Sequence, residues 1–545
     1  MRPFFLGRSH GRSRLPDNPA AFRRRSHSVL NLRAARLISD MLQDKQIKLA
    51  LTVAAFVLAA VVMLSHRPWS QIEAGDEAIW DYMAQSILRG QVPYRDVVEI
   101  KMPLSAYMGA LAIATGKLVG VRDVMAIRTL HVLMIGLLST ITFLVGEVYL
   151  RNRLGALIGF LVPLASWHFA EWMVAGTEPK LPMILFGMLA LLLLARDRPF
   201  WAGFCSMLSC LCWQPGLLFT GTILLVASNY LTTWRDGRAL RVVGGAVVPL
   251  AILLVYFFIV GELGDLWDWT IRYNYSVYAP ETMRAAGDAL THLWRVLLRV
   301  LGPGIVLVAI GCIGLGMFGI ECVRDRLRKE TPRPRYMFKD ALLIPPLVYF
   351  AFCLVNFQSG PDLIPYFPFI GLFAGWFFVE TSELISASRI LRRVTFARSL
   401  PRLWLSSAVV IVITLVLYRS TVSAFEHGPK LQDQDRAFEV VSRRLVPGDR
   451  IYAHGVTELL VLLGRPNMNP YIFLDRGKDD YVARKAGDGF GRVVDQMESL
   501  APKIVALSRL AKVAHRGELE DWTRVHYDRL DVPGYDIIYI RKDER

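Results

Sequence analysis

The chain has 545 residues, of which 53% are hydrophobic, and its mean hydropathy is +0.36. This composition excludes a soluble multidomain enzyme, because the apolar residues form runs close to the length of a membrane span. The formal net charge of +16 comes largely from Arg and Lys between those runs, which is typical of cytoplasmic loops rather than of nucleic-acid binding. We therefore predict a polytopic α-helical membrane protein whose partners include the lipid bilayer and exclude nucleic acid.

The cysteines give no evidence for a metal site or a disulfide. All six lie in or at the edge of apolar runs, and residues 421–545 contain none. Cys210 and Cys212 are too close in sequence for an ordinary disulfide or, without further ligands, for zinc. We interpret all six as small side chains of membrane helices and assign no metal.

The N-terminal part begins with a basic segment, residues 1–47, which lacks a packed apolar pattern and is predicted to be a disordered cytoplasmic tail. The first span covers about Ile47 to Leu64. The segment Gly75–Pro103 follows and holds the densest set of ionisable side chains in this half: Asp76, Glu77, Asp81, Arg95, Asp96, Glu99 and Lys101. A charged loop between membrane segments either caps helices or carries chemistry.

Two juxtamembrane helices are predicted, over 76–89 and 104–120. In the first, Ile79, Met83 and Ile87 recur at i, i+4 and i+8, which indicates one apolar stripe on a helix lying along the membrane surface. Asp76 and Glu77 fall in its first turn, where the helix dipole favours acidic side chains, so simple capping would also explain them.

Charge counting decides that the second of these helices does not cross the membrane. If 104–120 does not span, all five basic connections fall on the same side as the basic N-terminal tail, as the positive-inside rule requires. These connections are 151–153, 196–198, 235–241, 324–339 and 389–402.

The remaining apolar runs give about eleven spans in a transmembrane domain over 48–420, and an odd number places the C-terminus outside. The ten later spans are predicted at 125–147, 154–172, 180–195, 200–213, 216–232, 242–260, 293–320, 340–357, 366–380 and 403–419.

The C-terminal segment, 421–545, changes to mixed, foldable sequence. Strands are predicted at 450–453, 503–507 and 535–541, with helices at 434–445, 457–463 and 489–500. Short strands alternating with helices indicate a small extracytoplasmic α/β domain. It lacks a Gly-rich phosphate loop and a His/Cys metal set, so the residues alone predict no catalytic role for it.

The outer loops contain groups suited to acid–base and phosphate chemistry. Asp76 or Glu77 could act as a general base toward a hydroxyl group, and Lys101 or Arg95 could neutralise a phosphate. Glu178, in Gly-Thr-Glu-Pro at the outer end of a span, is equally suited to a snorkelling position and to a site. For the loop charges as a group, ordinary solvated surface is the competing interpretation.

These motifs, in this order, resemble the GT-C glycosyltransferases. The matching residues are Asp76-Glu77, Pro93-Tyr94-Arg95-Asp96, Lys101-Met102-Pro103-Leu104 with Tyr107, Arg128, and Thr177-Glu178-Pro179. The resemblance covers roughly 48–420. It is nearest to the bacterial branch that contains protein O-mannosyltransferases, the lipid A aminoarabinose transferase and rhizobial lipopolysaccharide galacturonosyl transferases.

The resemblance implies a site as well as a fold. Asp76, Glu77 and Glu178 would be the catalytic carboxylates, with Asp76 acting as a base on the acceptor hydroxyl. Donor phosphate would be bound by Lys101, Arg95 and Arg272, and substrate by Asp96, Glu99, Tyr107, Glu171 and Tyr366. No cofactor is assigned, and a divalent cation is the one candidate.

Two positions depart from the family pattern. Many relatives have a basic residue at the tight bend between the fifth and sixth spans, where this chain has Trp213-Gln214-Pro215. Many have a His-Tyr pair in the last outer loop, where this chain has Pro365-Tyr366 after Asp362. We therefore expect redistributed phosphate contacts or a different donor.

The resulting prediction is an inverting glycosyltransferase of the bacterial inner membrane, with its N-terminus cytoplasmic and its C-terminus periplasmic. It would move a sugar from a polyprenyl-phosphate donor to a glycan, lipid or protein of the cell envelope. Two alternatives are a transporter or flippase of a lipid-linked sugar, whose usual internal repeat is not evident here, and a non-catalytic envelope-assembly subunit.

Overall fold

A computed structural model describes residues 44–230, 237–283, 286–301, 304–328, 333–387, 400–423, 430–486 and 489–542. The predicted tail at 1–47 lies almost wholly outside these residues. The chain divides into two compact units, Met1–Ala54 and Ala55–Arg545. In the first unit the described residues, 44–54, are helical.

Most of the second unit is helical, as the apolar runs predict. From the N-terminus the helices are α1 (Asp44–Ser70, which begins in the first unit), α2 (Gly75–Leu88), α3 (Leu104–Leu118), α4 (Asp123–Leu150), α5 (Arg153–Leu164), α6 (Trp167–Val174), α7 (Lys180–Ala195), α8 (Pro199–Cys212), α9 (Leu217–Ala227), α10 (Arg238–Ile259), α11 (Leu263–Trp267), a π-helix (Asp268–Tyr278), α12 (Ala279–Thr282), α13 (Ala286–Leu301), α14 (Ile305–Arg328), α15 (Arg333–Asn356), α16 (Phe367–Ala387) and α17 (Leu400–Ser423).

Six helical segments in the described part of the chain are long and apolar enough to cross a membrane. They are Asp44–Ser70, Asp123–Leu150, Arg238–Ile259, Ile305–Leu327, Lys339–Asn356 and Gly360–Ser386. Five shorter apolar helices, Arg153–Leu164, Lys180–Ala195, Pro199–Cys212, Gln214–Ala227 and Leu403–Val416, lie where the other spans were predicted. The polytopic helical class is confirmed, and the count of eleven spans stays a prediction.

Two predicted spans have different limits in the structure. The run 154–172 divides into α5 and α6, and Pro163 lies in the last turn of α5, where a helix commonly ends. The run 293–320 begins in α13, and the apolar span itself is Ile305–Leu327.

Facing glycines allow α5 and α16 to pack closely. A Cβ added to Gly371 or Gly375 of α16 would lie about 2 Å from a carbonyl oxygen of α5, 2.0 Å from Gly159 O or 2.1 Å from Gly155 O. Small residues allow this approach of two backbones, which is a common way for membrane helices to associate.

The C-terminal domain is the predicted small α/β domain. Its elements are α18 (Leu431–Ser442), β1 (Ile451–His454), α19 (Thr457–Leu463), α20 (Lys478–Ala486), α21 (Gly491–Leu500), β2 (Ile504–Leu507), α22 (Arg516–His526), β3 (Tyr527–Arg529) and β4 (Ile538–Arg541). The sheet order is β1-β2-β4-β3, with β1 and β2 parallel and the other pairs antiparallel.

The C-terminal domain packs directly on α2. The hydroxyl of Tyr82 accepts a hydrogen bond from the Asn467 backbone N–H at 2.7 Å, and the Gln85 amide donates to Val461 O at 3.1 Å. Trp80, Tyr82 and Met83 belong to one apolar core with side chains of that domain. Helix α2 is therefore covered on more than its predicted apolar stripe, because the later domain buries the face that the sequence leaves polar.

Candidate functional site

A cavity of about 500 Å³ lies between the membrane helices and the C-terminal domain. This volume is within the usual range of ligand sites. Its charged lining residues are Asp76, Glu99, Lys101, Lys180, Asp362, Asp475, Arg476, Lys478 and Arg509, and its other polar or aromatic lining includes Trp80, Trp213, Gln214, Asn274, Tyr275, Tyr278, Gln358 and Phe473. The charged loop after α1 and the C-terminal domain thus contribute to one site.

Asp76 and Lys101 stand side by side on the wall formed by the charged loop. Lys101 Nζ lies 4.0 Å from Asp76 Oδ2 and 5.5 Å from the centre of the Trp80 ring. The Asp76 side chain is 61% exposed, whereas that of Lys101 is 17% exposed. An acidic group open to a ligand therefore has a cation within reach of the same ligand.

The backbone next to Lys101 is held by three side chains. The amides of Gln214 and Asn274 each donate to Ile100 O at 2.7 Å, and the Tyr94 hydroxyl donates to Lys101 O at 2.9 Å. Asn274 belongs to the π-helix, whose i→i+5 pattern is frequent at functional sites. These bonds explain how a loop residue keeps a fixed position in the cavity.

The bend at Trp213-Gln214-Pro215, which lacks a basic residue of its own, has a cation beside it that another helix supplies. Lys180, the first residue of α7, places Nζ 5.1 Å from the centre of the Trp213 ring. The same ammonium lies 3.1 Å from Glu178 Oε1 and 3.8 Å from Asp362 Oδ1. The basic residue expected in the bend is therefore replaced in space by Lys180.

Glu178 lies behind Lys180 rather than on the cavity wall, and it is 3% exposed. Its backbone N–H donates to His131 Nε2 at 3.3 Å, while His131 Nδ1 is 3.0 Å from Ile127 O. His131 therefore packs against this loop and orients it.

Buried polar contacts hold α2 and the segment before it against the neighbouring helices. Arg128 of α4, fully buried, donates to Pro68 O, Gln71 O, Ile72 O and Glu73 Oε2 at 2.6–3.0 Å. Within α2 itself, Asp81 Oδ1 accepts a hydrogen bond from the Thr177 backbone N–H at 3.0 Å. This bond links α2 to the residue before Glu178.

The two acids at the start of α2 are in different protonation states. The surrounding protein limits the hydration of Asp76, although its side chain opens into the cavity, and this works to raise its pKa. The positive charges of Lys101, Lys180, Arg509 and Arg476 outweigh that effect and hold the pKa below its usual value. Burial and the negative charge of Glu178 raise the pKa of Glu77 to about 8. At neutral pH Asp76 is ionised and Glu77 is largely neutral.

The C-terminal domain supplies three cations to the cavity. Arg509 Nη1 lies 3.7 Å from Asp76 Oδ1, and its guanidinium stacks over the Phe473 ring at 5.2 Å. Arg476 donates to the Tyr278 hydroxyl at 2.8 Å and to Gln358 Oε1 at 2.5 Å. Lys478 is the third. The expectation of no catalytic role for this domain was drawn from motifs alone and did not anticipate these contacts.

Several residues proposed from the family resemblance lie outside the cavity. Arg95 bridges Asp96 and Glu262 near the surface, and Asp96 also accepts from the Val92 backbone N–H. Arg272 is 71% exposed, pairs with Asp268 and lines a separate surface groove. The remaining ones are Tyr107, packed on Tyr256, Glu171, within electrostatic reach of His66, and Tyr366, packed on Tyr349.

Of the proposed residues, Asp76, Lys101 and Glu99 line the cavity, Glu178 contacts it through Lys180, and Glu77 lies one residue from Asp76. Among the described residues no group of three or more His, Cys, Asp or Glu is arranged to hold a metal ion.

Comparison with known proteins identifies the fold. No protein-family model and no curated protein sequence matches the chain. ArnT from Cupriavidus metallidurans, solved with bound undecaprenyl phosphate, superposes with a TM-score of 0.61 at 15% identity, over 90% of this chain and 97% of ArnT. The oligosaccharyltransferase AglB from Archaeoglobus fulgidus, solved with an inhibitory peptide and a dolichol-phosphate, gives 0.54 at 12% identity, over 90% and 74% of the two chains.

Identities this low show a shared architecture. The chain has the GT-C fold, which confirms the fold predicted from its motifs. The activity has to be argued from the cavity.

Proposed function

We propose that this protein is a glycosyltransferase that moves a sugar from a polyprenyl-phosphate donor to an acceptor hydroxyl in the cell envelope. The observation that carries the proposal is the adjacency of an ionised carboxylate and an ammonium on one cavity wall, Asp76 and Lys101, 4.0 Å apart. Glycosyl transfer from a lipid phosphate needs a base for the acceptor and a cation for the leaving group in the same place.

The reaction is a direct displacement at the anomeric carbon. Asp76 takes the proton of the acceptor hydroxyl, and the acceptor oxygen forms the new bond to the anomeric carbon. The bond between that carbon and the phosphate oxygen breaks, and its electron pair leaves with the polyprenyl phosphate. Attack opposite to the leaving group inverts the configuration. The depressed pKa of Asp76 keeps it ionised before the reaction.

Two cations are suited to the phosphate. Lys101 precedes a juxtamembrane helix and Lys180 begins an apolar helix, so both belong to the membrane part of the cavity. An ammonium near the leaving oxygen stabilises the charge that grows as the bond breaks. The polyprenyl phosphates bound by ArnT and by AglB support a donor of this chemical class.

Glu178 and Glu77 act on the site indirectly in this proposal. Glu178 holds Lys180 through a 3.1 Å ion pair. Glu77, neutral at pH 7 because of its raised pKa, adds no negative charge beside Asp76. Glu99, which is 5% exposed and lines the cavity next to Lys101, is available to hydrogen-bond a sugar hydroxyl.

The location follows from the charge distribution. Under the positive-inside rule the basic loops would be cytoplasmic and the C-terminal domain would face outward, which supports our proposal of an enzyme acting on the outer face of a bacterial inner membrane. The acceptor would then be a glycan, lipid or protein of the envelope that reaches the cavity from outside.

The test is sugar transfer by the purified full-length protein in proteoliposomes. The donors are undecaprenyl-phosphate mannose and undecaprenyl-phosphate galacturonate, radiolabelled in the sugar, and a bacterial envelope fraction serves as acceptor. Asp76→Asn should lower the rate by about 10²- to 10⁴-fold, the usual contribution of a general base. Glu178→Gln should lower it less, because it acts through Lys180.

Asp96→Asn is the matched control, since Asp96 lies on the same loop outside the cavity. It should transfer at close to the rate of the unmodified protein. Full sugar transfer by a folded Asp76→Asn protein would show that Asp76 is not the base. Movement of the intact donor lipid across the bilayer without sugar release would favour the flippase alternative.

A further inference from the structure

Lys478 is a buried cation with no carboxylate within ion-pair distance in the described part of the chain, although Asp475 lines the same cavity. The residue is 6% exposed and lines the cavity, yet its ammonium has no hydrogen-bond or ion-pair partner among the residues that the structure describes. An unpaired buried charge is expensive unless something compensates it. Buried lysines of this kind are therefore candidates for binding an anion.

Lys478 lies at the N-terminal end of a helix, which is an unfavourable place for a positive charge. It is the first residue of α20, a nine-residue helix. The N-terminal end of a helix carries partial positive charge and favours anions, so a lysine there is disfavoured by its own helix. An anion at this place would be stabilised by the ammonium and by the helix together.

Two arginines line the same cavity. Arg476 and Arg509 both have φ of 58°, a left-handed conformation that is uncommon for residues other than glycine. Arg509 reaches Asp76 only at 3.7 Å, beyond ordinary hydrogen-bond distance. Arg476 uses Nη1 for Tyr278 and Gln358 and has its Nε 3.8 Å from Asp475 Oδ2, which leaves Nη2 for a ligand.

These cations come from a different part of the chain than the two proposed for the donor phosphate, and the sets meet at Asp76, which has Arg509 at one carboxylate oxygen and Lys101 at the other. Lys101 and Lys180 come from the membrane part of the chain, whereas Arg476, Lys478 and Arg509 come from loops and a helix start of the C-terminal domain. Arg509 follows β2, and Arg476 and Lys478 precede α20. A polyprenyl-phosphate sugar brings a single phosphate, which Lys101 and Lys180 are placed to neutralise.

We propose that Lys478, Arg509 and Arg476 form a second anion-binding subsite, which takes a carboxylate or phosphate group carried by the transferred sugar or by the acceptor. The substrate pair therefore contains an anionic group besides the donor phosphate. This inference rests on the proposed function for the identity of the substrates, but the binding of an anion does not depend on turnover.

The test measures binding to the purified full-length protein in detergent, read as the shift of its thermal unfolding midpoint. The probes are glucuronate, a sugar with a carboxylate, and glucose 1-phosphate, a sugar with a phosphate, with glucose as the neutral control. At least one anion should raise the midpoint in a saturable way, and glucose should not. A stronger response to glucuronate assigns the anionic group to the transferred sugar, and a stronger response to glucose 1-phosphate assigns it to a phosphorylated acceptor.

Lys478→Gln should weaken this binding about tenfold or more, the usual effect of losing one charge-assisted hydrogen bond. Arg509→Gln, at a half-exposed residue whose replacement should not impair folding, should weaken it similarly. Lys512→Gln, an exposed lysine three residues away, makes the same charge change outside the cavity and should bind as the unmodified protein does.

Saturating undecaprenyl phosphate should leave the anion response in place. Competition between the two would assign the three cations to the donor phosphate and overturn the second subsite. So would unchanged affinity in Arg509→Gln, or an equal loss in Lys512→Gln. Asp76→Asn, which should abolish transfer, should still bind the anion, so the failure of either proposal can be recognised separately.

Discussion

Two lysines line the same cavity in opposite electrostatic surroundings. Lys180, from the membrane helices, is neutralised by Glu178 at 3.1 Å and Asp362 at 3.8 Å. Lys478, from the C-terminal domain, is equally buried and has no such partner in the described part of the chain. The contrast indicates that carboxylates of the protein hold the Lys180 ammonium in place before any substrate binds, whereas the Lys478 ammonium is free to meet an anionic group of the substrate.

The largest expected effect on stability comes from breaking the first of these arrangements. Lys180→Gln leaves two carboxylates at the cavity without their cation, so it should destabilise the fold by about 3–5 kcal/mol. Lys478→Gln removes an uncompensated charge and should leave the stability unchanged or raise it. Thermal unfolding of the two detergent-purified variants checks the difference.

A second substitution serves as the control for that result. Glu178→Gln in the Lys180→Gln background removes one of the orphaned carboxylates and should recover part of the lost stability, about 1–3 kcal/mol. Equal destabilisation by Lys180→Gln and Lys478→Gln would contradict the contrast between the two lysines.

A smaller change in stability is expected with pH, because Glu77 titrates in the folded protein. Its pKa is about 8 in the folded protein, against an ordinary value of 4.5, so the stability it contributes is complete below pH 4.5 and is lost as pH rises through 8. Glu77→Gln should remove this loss, which we place at about 1–3 kcal/mol because the cavity admits solvent. Unfolding midpoints at pH 5 and pH 8.5 provide the measurement.

Glu439→Gln, on the exposed face of α18, is the matched control and should keep the pH profile of the unmodified protein. A Glu77→Gln profile identical to that of the unmodified protein would show that Glu77 is ionised in the fold.

The smallest effects on sugar transfer are expected from substituting the proposed site residues that lie outside the cavity. Arg272→Gln removes only an exposed pair with Asp268 at 3.5 Å, and surface pairs contribute about 0–1 kcal/mol. Sugar transfer should therefore stay within about twofold of the normal rate. A loss comparable to that of Asp76→Asn would move the donor site toward the groove lined by Arg272.

The sequence predicts best what depends on local patterns. Long apolar runs and the alternation of strand and helix in residues 421–545 locate the membrane helices and three of the four strands. The strand β3, Tyr527–Arg529, was missed because three residues are too few to show an alternating pattern. The order of charged motifs led to Asp76 and Lys101, which the structure brings within 4.0 Å.

The rest of the cavity depends on tertiary structure. Arg476, Lys478 and Arg509 lie some 400 residues after Asp76 in the chain, and no spacing rule connects them. The available signal was positional, since Ser508-Arg509 directly follows a predicted strand and ligands commonly bind at the carboxyl ends of parallel strands. Arg272, which lies outside the cavity, belongs to a π-helix, whose i→i+5 repeat changes which side chains face the same way.

The central claim is that this cavity binds a polyprenyl phosphate beside Asp76, and binding of undecaprenyl phosphate to the purified full-length protein tests it most directly. Native mass spectrometry should show one bound lipid and an affinity about tenfold lower or more in Lys101→Gln. Lys117→Gln, at an exposed lysine of α3, should bind like the unmodified protein. Equal binding by Lys101→Gln and the unmodified protein would contradict the proposed donor site.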